Sequence, residues 1–165
     1  MRLFLAISLS DDVRAALAEV QEYLRRRGVS GNYTRLENLH LTLAFIGEYA
    51  DPDFVLEVLR GVPFTPFEMQ IEGFGSFGDL YWCGIRESEA LSAYVKRLRH
   101  ALAEAGIPFD RRKFAPHITL LRKAVFTRRQ GFPGVPVQAV SMQASDVSLF
   151  RSDRVKQGMV YTLLQ

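Results

Sequence analysis

One cysteine, Cys83, one tryptophan and three histidines are all that this 165-residue chain carries of those residue types. A single thiol makes no internal disulfide and no thiolate cage, which excludes a disulfide-stapled secreted scaffold and a structural zinc site. The longest apolar stretch, near residues 1–9, is much too short for a membrane span. Asp11 and Asp12 follow it, where a secretory leader would carry small residues and a cleavage site. The expectation is a soluble, uncleaved chain in the cytoplasm, with no membrane partner. With 48% hydrophobic and 24% charged residues, collagen, disorder and low complexity are also excluded, and there is apolar material for one sizeable core.

Net charge is a mild +3, from 21 bases and 18 acids. Its distribution is more informative. Across residues 107–130 the bases are Arg111, Arg112, Lys113, Arg122, Lys123, Arg128 and Arg129, opposed only by Asp110. Such a cluster suits a phosphorylated or polyanionic partner, although from charge alone a solvated basic surface is the favoured reading.

Residues 2–8 alternate as a strand. Ser10 is placed to cap a helix in which Val13, Ala16, Leu17, Val20 and Leu24 recur at helical spacing, with acids in the first turn, bases in the last and Gly28 beyond. Residues 32–35 and 40–46 read as strands, with Glu37 and Asn38 between them. Asp51 and Pro52 open a short helix. Residues 67–74 and 80–85 read as paired strands, and Ser88 or Glu89 starts a second long helix with Leu91, Val95, Leu98 and Leu102 inward and Gly106 at its end. Residues 117–121, 137–143, 146–150 and 159–163 complete the strands. Strands and helices do not alternate one for one, so the expected class is α+β with mainly antiparallel sheet rather than a doubly wound parallel sheet.

Gly73, Gly75 and Gly78 spell G-x-G-x-x-G. A dinucleotide-binding motif requires a helix immediately afterwards to receive the pyrophosphate, and a strand-like segment follows instead, so a hairpin turn is the better reading. The nucleophile elbow of a Ser-His-Asp hydrolase is also missing, since the nearest string, "GFGSF", lacks its last glycine.

Two of the three histidines open similar phrases, "LHLTLAFIG" at residues 39–47 and "PHITLLRKA" at 116–124. With threonine at six positions, chance would produce this pair on the order of once in a few hundred such sequences. Strand alternation puts His40 and Thr42 on one face and His117 and Thr119 on one face, with the intervening leucines and isoleucine on the other. The repetition, with one long helix in each half, implies two similar lobes whose His-Thr strands face each other across a cleft, the whole being a single domain of residues 1–165. Two imidazoles and two hydroxyls make a poor zinc set, so no metal and no cofactor are expected. They suit in-line displacement at phosphorus, which needs a base where the nucleophile attacks and an acid where the alkoxide leaves. Threonine hydroxyls can donate to the non-bridging oxygens, and Arg122 adds a cation.

At these residues the sequence resembles the 2H phosphoesterase superfamily, defined by two H-x-T-x motifs, and within it the RNA 2′,3′-cyclic phosphodiesterases, also called 2′-5′ RNA ligase-like proteins. "RLFLAISL", "ENLHLTLAFIG", "RKFAPHITLLR" and "VSLFRS" carry the likeness along nearly the whole chain. The resemblance implies a bilobal, pseudo-twofold α+β fold of antiparallel sheets with flanking helices, acting without metal. It implies hydrolysis of a terminal 2′,3′-cyclic phosphate to a 2′-phosphomonoester, with His40 as the acid, His117 as the base, Thr42 and Thr119 on the phosphate and Arg122 closing the second motif. Joining of RNA ends through a 2′-5′ bond, with a 5′-hydroxyl in place of water, is implied as well. Tyr33, Leu36 and Ala44 stand where relatives often carry Trp, Pro and Lys. The expected partner is RNA with a cyclic phosphate end, tRNA fragments included, or a small cyclic nucleotide, and the protein is expected to act as a monomer. The competing readings are a non-catalytic RNA-end or tRNA-binding module and a phosphodiesterase for a small cyclic-phosphate nucleotide. Tyr81, Trp82 and Phe114 are candidates for base stacking or core packing, His100 reads as a surface residue and Cys83 as a small buried hydrophobe.

Overall fold

The computed structural model describes residues 1–126 and 134–165. The chain runs through β1 (Arg2–Ser8), α1 (Asp11–Arg26), β2 (Ser30–Tyr33), a single 3-10 turn (Leu36–Asn38), β3 (His40–Glu48) and α2 (Pro52–Arg60). It continues through β4 (Phe67–Phe77), β5 (Leu80–Ile85), α3 (Glu89–Glu104), β6 (His117–Val125), β7 (Ser141–Ala144), β8 (Ser148–Val155) and β9 (Gly158–Leu163). The fold is α+β. Every strand pairing among the described residues is antiparallel, in one sheet of order β3-β1-β8-β9 and another of order β2-β6-β5-β4-β7. Among the described residues no helix is long and apolar enough to cross a membrane.

Helix starts follow local chemistry. The Ser10 hydroxyl accepts from the Val13 N–H at 3.2 Å, Asp51 from Phe54 at 3.1 Å and Ser88 from Leu91 at 3.2 Å, each satisfying a backbone donor that the first turn leaves free. The expected inward faces are the buried ones, with Gln21 and Tyr94 in addition.

The two sheets do not correspond to the two halves of the sequence. β8 and β9, from the C-terminal end, complete the sheet of β1 and β3, while β2 leaves the N-terminal segment to pair with β6. The helices cross over too: α1 packs on β6 and β7, and α3 packs on α2 and β3. Strand ends shift as well. The stretch expected at 137–143 pairs only over Ser141–Ala144, and the one expected to stop at 150 continues to Val155 because β9 pairs along its full length.

A duplicated irregularity sets the faces of the two His-Thr strands. In β3, Ala6 faces Thr42 and Leu5 faces Ala44, so Leu43 is an extra residue; in β6, Trp82 faces Thr119 and Tyr81 faces Leu121, so Leu120 is extra. These are β-bulges. Leu43 and Ala44 are both buried, as are Leu120 and Leu121. Two consecutive residues therefore turn inward, and the residue five places after each histidine, Phe45 or Arg122, returns to the histidine's face. The β6 bulge is tied down from outside its sheet: the Leu120 carbonyl accepts from the Thr34 N–H at 2.9 Å and from Gln21 Nε2 at 2.9 Å, and Gln21 also donates to the Thr34 carbonyl at 2.8 Å.

The glycine-rich string is a hairpin, as expected. Gly78 turns between β4 and β5 with φ +60°, and Gly75 lies flat under Trp82, where a Cβ would come within 2.4 Å of the indole ring.

Candidate active site

β3 and β6 lie against each other where the two sheets meet, and the Asp110 N–H, in the segment leading to β6, donates to the Phe45 carbonyl at 2.8 Å. Both histidines sit at the first residue of their strand, and each is fixed in the same way. His40 Nδ1 lies 2.6 Å from the Asn38 carbonyl and His117 Nδ1 2.7 Å from the Ala115 carbonyl. A carbonyl only accepts, so Nδ1 carries the proton in both rings and Nε2 is the nitrogen left for chemistry. In His40 that nitrogen meets the Thr42 hydroxyl at 2.8 Å. His117 and Thr119 share the corresponding face of β6, and the exposed Arg122 follows them past the bulge.

The surroundings of the two rings differ. His40 is enclosed by aromatic side chains, with Phe4 tilted at 4.8 Å and Tyr161 edge-on at 5.2 Å, and Phe150 stacks on Phe4 at 5.4 Å. Burial pushes the His40 pKa below its ordinary 6.5, against the pull of the Asn38 carbonyl, and the positive fields of Arg122 and His117 push it further down. His117 instead lies at the rim, with Phe77 edge-on at 5.0 Å and Trp82 at 6.4 Å. A narrow pocket lined by Phe4, Ser8, Arg14, His40, Phe150 and Tyr161 opens beside His40.

The five expected site residues thus fall into two sets, His40 with Thr42 and His117 with Thr119 and Arg122, on strands in contact. Of the basic cluster, Arg111 and Lys113 are exposed, Arg112 grips Asp110 at 2.5 Å, and Arg128 and Arg129 lie outside the described residues. The Arg112 bonds hold the Asp110 carboxyl down at about 2. His100 is exposed beside Glu104, and Cys83 is fully buried, its thiol pushed up to about 12 by desolvation. Trp82 is half-buried on the cleft side of β5, Tyr81 packs edge-on to Phe74, and Phe114 sits under Arg99. Among the described residues no group of three or more His, Cys, Asp or Glu side chains could hold a metal ion.

Sequence reasoning overlooked Asn38, Gln21, Phe4 and Tyr161. Asn38 is buried, and its side chain donates to the Met159 carbonyl at 3.0 Å, tying the His40 turn to β9. Buried amides at helix or turn positions were the available signal, since Gln21 lies on the apolar face of α1.

A model of the 2′-5′ RNA ligase superfamily matches residues 9–155. An RNA 2′,3′-cyclic phosphodiesterase of Thermotoga maritima is 34% identical over 134 residues, covering 74% of this chain and 70% of the relative. A protein of that name from Thermus thermophilus is 32% identical, covering 100% of this chain and 88% of the relative. Among solved structures, Escherichia coli LigT complexed with 3′-AMP superposes with a TM-score of 0.84 at 27% identity, covering 99% of this chain and 95% of that one. A Thermus thermophilus crystal structure gives 0.81 at 32% identity, with 100% and 96% covered.

Proposed function

The chain belongs to the 2′-5′ RNA ligase superfamily, and from that premise we propose that it is a metal-independent phosphodiesterase that opens the 2′,3′-cyclic phosphate at an RNA end to a 2′-phosphomonoester. The observation that carries this is the paired tethering of His40 and His117 through Nδ1 to a backbone carbonyl, which turns Nε2 of each ring away from the backbone, on strands that touch. Relatives that bear the name RNA 2′,3′-cyclic phosphodiesterase support the same reading.

In the reaction, His117 Nε2 takes a proton from water as its oxygen attacks phosphorus. The bond from phosphorus to the 3′ oxygen breaks on the opposite side, and His40 Nε2–H delivers its proton to that oxygen. Charge on the non-bridging oxygens of the five-coordinate phosphorus is met by the Thr42 and Thr119 hydroxyls and the Arg122 guanidinium. In the free protein the Thr42 hydroxyl rests on His40 Nε2; an arriving phosphate displaces it, and the anion raises the His40 pKa toward the protonated form that the acid role requires. A 5′-hydroxyl in the place of water would give a 2′-5′ phosphodiester by the same displacement.

The test is hydrolysis of 2′,3′-cyclic nucleotides and cyclic-phosphate oligonucleotides in EDTA. His40→Ala and His117→Ala are each expected to lower kcat by about 10²–10⁴-fold. Full activity in both variants, or activity abolished by the chelator, overturns the proposal; tight binding without turnover in the wild type would leave a binding module.

A further inference from the structure

The duplicated bulges expose an asymmetry. They bring Arg122 onto the histidine face of β6 but bring Phe45 onto that of β3, so the repeat supplies a cation beside His117 and an aromatic ring beside His40. The missing charge comes from another strand. Arg2 projects from β1 with its guanidinium over the Phe45 ring, 5.6 Å from the centroid. Arg2 and Phe4 share one face of β1, about 7 Å apart along the strand, and Phe4 is the ring packed against His40.

Arg2 is exposed and makes no ion pair among the described residues. Its two nearest acids in register are otherwise engaged. Glu48, its partner on β3, holds the Met1 ammonium at 2.7 Å, and Asp153, next to its partner Ser152 on β8, holds Arg151 at 2.9 Å. Tyr161, edge-on to His40, feels the positive fields of both Arg122 and Arg2. A guanidinium held over an aromatic face, with its donors free, suits the paired non-bridging oxygens of a phosphodiester.

The geometry points to Arg2 as the anchor for a second phosphate, one nucleotide from the reacting one, so that the site is built for an RNA end of two or more nucleotides rather than a cyclic mononucleotide. This rests on the reading of the cleft as a cyclic phosphodiesterase site. The second phosphate is the diester on the 5′ side of the terminal ribose, and Arg2 binds it without entering the chemistry.

Equilibrium binding keeps the two readings apart, because it does not require turnover. The probes are a nucleoside 2′-phosphate and the dinucleotide that ends in the same nucleoside 2′-phosphate. Arg2→Gln is expected to lower the affinity ratio of dinucleotide to mononucleotide by about tenfold, and Arg2→Lys to restore most of it. In the wild type, log affinity against log salt is expected to be steeper for the dinucleotide by about 0.7. An unchanged ratio in Arg2→Gln, or equal salt slopes for the two ligands, overturns the inference. A variant that fails to fold loses both ligands together, and the wild-type slopes then decide. Binding of both probes without hydrolysis of either cyclic substrate would sink the catalytic reading instead and leave the second subsite standing.

Discussion

At the scale of single residues, the two imidazoles are alike in tether and unlike in exposure. His40 is walled in by Phe4 and Tyr161, and its depressed pKa means that protonating it costs more in the folded chain than in the unfolded one. The associated stability is fully present above the ordinary value of 6.5 and is lost as pH falls below it toward the folded value. His40→Asn is expected to flatten that decline in a series of denaturant titrations across pH. For activity the same shift predicts that kcat/KM, which reports the free protein, falls with rising pH at a point below 6.5, while kcat falls at a higher pH because the bound phosphate favours the imidazolium. Coincident alkaline limbs in the two profiles would contradict this account of His40. Asn38 shows what lay outside the reach of the motif. Its carbonyl fixes the His40 tautomer and its side chain reaches β9, a contact across 121 positions that no local spacing reveals.

At the scale of elements, local signals were legible and non-local ones were not. Caps at Ser10, Asp51 and Ser88, the inward stripes of α1 and α3, and the His-Thr faces of β3 and β6 depend on residues within a turn or two of one another. The bulges at Leu43 and Leu120 do not, because an extra residue exists only relative to the strand opposite. Gln21 is the clearest test of their importance. Replacing it by Leu leaves the Leu120 carbonyl one donor short inside the protein, with an expected loss of about 1–3 kcal/mol in chemical denaturation. If its role is to hold the bulge, kcat should fall beyond what the lost stability explains at temperatures where the variant is fully folded. Gly75 offers a spectroscopic counterpart. Trp82 is the sole tryptophan, so intrinsic emission reports on it alone, and Gly75→Ala, which drives a methyl into the indole, is expected to shift that emission and cost about 1–3 kcal/mol. An unaltered spectrum would show that the ring has an alternative seat.

At the scale of the whole molecule, the α+β class and antiparallel strands were readable from the order of elements, whereas the exchange of strands between sheets was not. β1 and β3 from the N-terminal half and β8 and β9 from the C-terminal end form a single sheet, and each long helix covers the sheet it does not lead from. Neither sheet can unfold while the other keeps the cleft intact, so heat unfolding is expected as one transition, with secondary structure and catalytic competence lost together. A nucleoside 2′-phosphate at 100 times its Kd is expected to raise the midpoint by about 5–11 °C, and a midpoint that does not move with ligand would argue against product binding in this cleft.

The paired bulges also set which kinds of genetic change the protein can absorb. Between Thr119 and Arg122 the chain supplies two inward positions, Leu120 and Leu121. Substitutions there alter volume, and loss of a single codon only removes the surplus residue, after which plain alternation still brings the guanidinium to the histidine's face; gain of a codon instead reverses the parity downstream, driving the guanidinium into hydrocarbon and leaving an aliphatic side chain facing the substrate. Insertions one residue long beside 120 or 43 should therefore be harsher than deletions one residue long at the same positions.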